Sequence, residues 1–150
     1  MANELNVFLD LEETVIKSWH ERSPVNLHKV QHTLKLLDAK QVTIFSFAIS
    51  DDKDKETFDQ ENFKCALEKM FEIEIIAFPS VQEIMKVCMK HTGNHFEQHE
   101  FLSVWGKYRA FHDYCSAKHS GESSVLLDDV VHDTEFYNKT TNTRIHTIRI

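Results

Sequence analysis

Two rhythms of apolar and polar positions run through this chain. Short apolar runs stop abruptly in four places. Residues 5–9 (L-N-V-F-L) end at Asp10, residues 42–45 (V-T-I-F) at Ser46, residues 73–78 at Pro79, and residues 124–127 (S-V-L-L) at Asp128 and Asp129. Runs of this length and composition are expected of parallel strands buried on both faces. Residues 144–150 alternate polar and apolar, which suits an edge strand.

Between these runs the period lengthens to that of a helix. Phe63, Ala66, Leu67, Met70 and Phe71 fall at i, i+3, i+4, i+7 and i+8 and give one apolar face. Ser23 and Pro24 read as an N-cap and first helical residue, opening a helix that carries Leu27, Val30, Leu34 and Leu37. Ser80 reads as the cap of a helix bearing Val81, Ile84, Met85 and Cys88, and residues 96–118 read as helical with a break at Gly106. Strands alternating with helices predict one α/β domain over residues 1–150, with three layers and a mainly parallel sheet of five strands.

Composition narrows the class. With 150 residues, 41% hydrophobic and 27% charged, the chain matches an ordinary globular domain, which argues against disorder and fibrous repeats. The three cysteines, Cys65, Cys88 and Cys115, form no C-x-x-C pair, and reduced thiols in the cytoplasm are the simplest expectation. No window approaches the roughly eighteen apolar residues of a membrane helix. A net charge of −7 repels polyanions and disfavours nucleic acid, whereas a divalent cation would reverse the local sign and admit a small phosphorylated ligand.

In an open parallel sheet, ligands bind beyond the carboxyl ends of the strands, where strand order reverses. Three of those ends carry Asp10, Ser46 and the pair Asp128 and Asp129, so a crevice of carboxylates and a hydroxyl is expected. Carboxylates crowded together repel, and Mg2+ with its preference for oxygen ligands relieves the repulsion.

These residues resemble, in order and over nearly the whole chain, the motifs of the haloacid-dehalogenase-like (HAD-like) phosphatases. The strand followed by D-x-D-x-T appears as V-F-L-D-L-E-E-T, the strand ending in a hydroxyl as I-F-S, and the final acidic motif as L-L-D-D-V-V-H-D. Lys107, twenty-one positions before Asp128, best meets the lysine motif, with Lys86, Lys90 and Lys118 as rivals. The resemblance implies a Rossmann-like fold with a flap hairpin after the first strand, beginning at Thr14 and continuing through Trp19. It implies a magnesium-dependent phosphoric-monoester hydrolase in which Asp10 is the nucleophile and forms an aspartyl-phosphate. Ser46 and Lys107 would stabilise the transferring phosphoryl group, and Thr14 would help bind it. Mg2+ would be held by Asp10, Asp129 and the carbonyl of Glu12, with Asp128 and Asp133 as supporting carboxylates.

Glu12 departs from the family pattern, standing where a second aspartate protonates the leaving group. One extra methylene displaces that carboxyl, and general acid–base help is worth roughly 10²–10⁴-fold. A site that has lost turnover and binds a phosphorylated ligand or a protein partner is therefore the alternative. The spacing of the motifs leaves little room for a large inserted cap. An open site implies a phosphorylated small molecule, a phosphoprotein, or cover from a second copy of the chain. His95 and His99 lie at i, i+4 but have no third ligand at convincing spacing, so surface histidines are the expected reading.

Overall fold

A computed structural model describes residues 5–150. Six strands form one sheet: β1 (Leu5–Leu9), β2 (Gln41–Ile44), β3 (Glu74–Ala77), β4 (Ser123–Asp128), β5 (Thr134–Asn138) and β6 (Thr143–Arg149). The order is β3-β2-β1-β4-β6-β5, and every pairing is parallel except that of β5 with β6. The helices are α1 (Leu27–Leu36), α2 (Asp52–Gln60), α3 (Phe63–Phe71), α4 (Val81–Thr92), the short α5 (Gln98–Glu100), a π-helical turn over Phe101–Trp105, and α6 (Gly106–Lys118).

Alternate residues of β1 divide the core. Val7 and Leu9 join a cluster with Val30 and Leu34 of α1, Phe58 of α2, and Phe63, Leu67 and Phe71 of α3. Phe8 points the other way, into a cluster with Ile84 and Cys88 of α4 and Ala110, Phe111 and Cys115 of α6. Helices thus cover both faces of the sheet, which is why β1 and β4 are apolar at consecutive positions. The chain runs β1, β2, β3 outward, then crosses to place β4 on the free side of β1. Strand order therefore reverses between β1 and β4.

Two sequence expectations are corrected. The sheet has six strands rather than five, and residues 144–150 are not at its edge. The added β5, T-E-F-Y-N, takes the edge and leaves Phe136 and Tyr137 exposed, so no apolar alternation marks it in the sequence. Second, Ser23 and Pro24 do not start α1. The Ser23 carbonyl accepts the Lys17 N–H at 3.0 Å, and Pro24 bridges Ile16, so both belong to the returning arm of the flap. Helix α1 begins at Leu27, after Asn26 in a left-handed conformation. The acidic segment 52–60, to which the sequence assigned no element, is also helical. Asp51 caps it by accepting the Asp54 N–H, and only Phe58 is fully buried.

Other expectations hold locally. Ser80 caps α4 in a full capping box with Glu83, and Gly93 closes the helix at φ 76°. The break at Gly106 is present, with φ 84° and ψ 165° separating the π-helical turn from α6. Among the described residues, no helix is long and apolar enough to cross a membrane.

A candidate active site at the ends of β1 and β4

Sheet pairing continues one residue beyond β1, where the Asp10 N–H donates to the Leu127 carbonyl at 3.0 Å. That bond sets Asp10 beside Asp128, the last residue of β4. Both are buried, and the carboxylates of Asp10, Asp128 and Asp129 have oxygens within 4.8 Å of one another.

Lys107 reaches this cluster from the first turn of α6. Its Nζ lies 2.6 Å from Asp10 Oδ1 and 2.5 Å from Asp128 Oδ2. The ammonium therefore bridges the two carboxylates, hydrogen-bonded to Asp10 and in close ionic contact with Asp128. The other oxygen, Asp128 Oδ1, accepts the Val130 N–H at 2.9 Å, which folds the loop back over the strand end. Of the four lysines considered, Lys107 is the one that the structure brings to Asp10.

Thr14 links the two strand ends. Its hydroxyl lies 2.9 Å from Asp10 Oδ2 and 3.2 Å from Asp129 Oδ1, and it accepts the Asp129 N–H at 3.0 Å. One hydroxyl proton serves one of the two carboxylates at a time. The link across 115 positions was invisible in the sequence, because Thr14 is buried by the turn of the flap rather than by any local period.

Burial raises Asp10 to about 6, with Asp128 adding to the rise and Lys107 and Thr14 opposing it. Burial by itself would lower Lys107, but the Asp10 and Asp128 carboxylates outweigh it and hold its pKa above the ordinary lysine value. One ammonium against three carboxylates leaves the ionised cluster at −2. The donor set is all oxygen, so the residues fit a hard divalent cation.

The remaining candidates are placed differently. Ser46 is buried at the end of β2, where its Oγ accepts the Ala48 N–H at 3.2 Å; among the described residues no hydrogen bond joins it to Asp10 or Lys107. Glu12 Oε2 accepts the Trp19 N–H at 2.8 Å, so its carboxylate is tied to the flap and stands outside the three-carboxylate group. Asp133 is exposed and accepts the Arg149 N–H at 2.8 Å, fastening the start of β5 to the end of β6. Trp19 packs its ring against Phe63 and Phe58, at 5.1 and 6.5 Å between centroids. The flap is therefore held down on α2 and α3.

Phe47, which the sequence reading passed over, has its ring centred 5.7 Å from Lys107 Nζ. Its one signal was adjacency to Ser46. Away from this site, His99 groups with the exposed Glu97 and Glu100 rather than with His95. A cleft of about 740 Å³ lined by Lys90, His91, Ser116, Lys118 and Thr140 opens at the opposite ends of the strands and includes no residue of the carboxylate cluster.

Comparison of the chain with protein-family models, with curated proteins and with solved structures gave no match.

Proposed function

We propose that this chain is a magnesium-dependent phosphoric-monoester hydrolase of the HAD-like kind, working through an aspartyl-phosphate on Asp10. The observation that carries the reading is the contact of Lys107 with both Asp10 and Asp128 at the switch point of the sheet, with Thr14 and Asp129 completing the cluster. Helices on both faces and a hairpin after β1 support a Rossmann-like arrangement of that family.

Asp10 offers an oxygen to phosphorus while Thr14 and Lys107 fix its carboxylate in one orientation. Lys107 is placed to take up charge on the phosphoryl oxygens as they arrive, where most of the catalysis of phosphoryl transfer resides. Asp10 and Asp129, with Asp128 beside them, are the residues that would hold Mg2+, which when bound offsets repulsion between an anionic nucleophile and an anionic phosphate. Phosphorylated small molecules and phosphoproteins are the substrate classes, and the net charge of −7 disfavours nucleic acid. The tether on Glu12 favours a second reading, a site that binds phosphorylated ligands or a protein partner without efficient turnover.

Phosphate release from nucleotides, sugar phosphates and phosphopeptides, with and without Mg2+, separates these readings. Magnesium-dependent release abolished by Asp10→Asn is the expected result. Ligand binding without release above the Asp10→Asn background would favour the second.

A further inference from the structure

Among the described residues, the side chains that contact Asp10, and Glu12 two positions after it, are each held by a further contact. The Glu12 carboxylate accepts the Trp19 N–H, and Trp19 is stacked on the aromatic cluster of α2 and α3. Arg22 adds to that attachment, lying 4.2 Å over the Phe63 ring and 3.4 Å from Glu61. Lys107 is shared between Asp10 and Asp128, and the Thr14 hydroxyl between Asp10 and Asp129. His20 is exposed in the turn of the flap, and among the described residues no hydrogen bond or ion pair directs its ring toward Asp10.

Resting on the hydrolase reading above, we propose that this site acts on phosphoryl donors whose leaving group departs as a stable anion, such as acyl and aryl phosphates. Glu12 serves as a positioning residue for the flap and gives no proton. An Asp10 oxygen forms the bond to phosphorus, the bond from phosphorus to the leaving oxygen breaks, and that oxygen keeps the electron pair. Water then attacks phosphorus, the bond to Asp10 breaks, and orthophosphate leaves as the surplus proton passes to solvent. Alkyl phosphates, whose alkoxide is strongly basic, forgo the roughly 10²–10⁴-fold that a placed general acid contributes.

The test is kcat/KM of the full chain with Mg2+ for acetyl phosphate, a series of substituted phenyl phosphates, and ethyl phosphate. The same series is run on Glu12→Gln, whose amide oxygen can still accept the Trp19 N–H, and on His20→Asn. The expected result is a fall of at least about 10²-fold from acetyl to ethyl phosphate. The slope of log kcat/KM against leaving-group pKa stays the same in all three proteins. A shallow slope in the wild type that steepens in Glu12→Gln overturns the proposal and makes Glu12 the acid. Steepening in His20→Asn overturns it in favour of the flap histidine. No release from any donor, with no phosphate trapped on Asp10, sinks the hydrolase reading itself, and this inference with it.

Discussion

Replacing Lys107 by methionine keeps most of the stem and removes the charge that Asp10 and Asp128 share at 2.6 and 2.5 Å. Removing one partner of a buried ion pair costs about 3–5 kcal/mol, because the remaining charge is left without compensation. Here the cost divides into two parts with different pH dependence. Asp10 can escape by taking a proton, and its pKa in the intact cluster is already about 6. Its share therefore cannot exceed the free energy of protonating it from the wild-type state, about 1.4 kcal/mol for each pH unit above 6, or about 3 kcal/mol at pH 8. Below pH 6 that share vanishes, because the wild-type carboxyl is then protonated as well. The rest of the cost belongs to the contact with Asp128.

The sign follows from the proton count. Between pH 6 and 8 the folded variant keeps a proton on Asp10 that the unfolded chain has lost, so its stability falls as pH rises, more steeply than that of the wild type. Urea denaturation in EDTA, followed by the fluorescence of Trp19 and Trp105 at pH 5.5 and pH 8, measures both shares. The expected destabilisation is about 3–5 kcal/mol at pH 8, reduced by up to about 3 kcal/mol at pH 5.5. In an Asp10→Asn background the pH-dependent share disappears. A loss below about 1 kcal/mol at pH 8, or one independent of pH, would refute the view that Lys107 compensates a buried, strained carboxylate.

Gly106→Ala is expected to cost about 1–3 kcal/mol, since φ 84° with ψ 165° is nearly closed to residues with a side chain; nothing lies within 4 Å of the added Cβ, so an unchanged midpoint in urea would rule out backbone strain as the reason for this glycine. Ellman's reagent at pH 8 should find one fast thiol, Cys65, and two that react only on unfolding, because burial pushes Cys88 up to about 12 and raises Cys115 as well; two or more fast thiols in the native protein would contradict the packing of α4 against α6. Mg2+ at a hundredfold excess over its Kd should add about 2.7 kcal/mol of stability in a thermal melt, and EDTA or Asp129→Asn should abolish the gain. An equal gain in Asp129→Asn would place the ion elsewhere.

Much of this architecture follows from local rules. The runs at residues 5–9, 42–45 and 124–127 are apolar at consecutive positions because both faces of the sheet are covered, so they are legible without knowing what covers them. Ser80 and Glu83 declare a helix start through bonds that span only three residues. The aspartates at strand ends were visible as well, because Asp10 and the pair Asp128 and Asp129 each close a short apolar run. Strand β5 was not legible, since a solvated edge strand owes its existence to pairing with β6 rather than to its own pattern. Ser23 and Pro24 carried a valid helix-start signal, which lost to the pairing of the flap arms.

The sequence by itself therefore determined the α/β class, the central strands and the identity of the acidic residues at their ends, because these depend on period, capping and burial within a few positions. Only the tertiary structure decided which lysine meets Asp10, that Thr14 joins Asp10 to Asp129, and that Glu12 is tied to the flap. Those three facts are contacts across 97, 115 and 7 positions. Each is fixed by how α6, β4 and the flap pack around the end of β1, a geometry that no local pattern encodes.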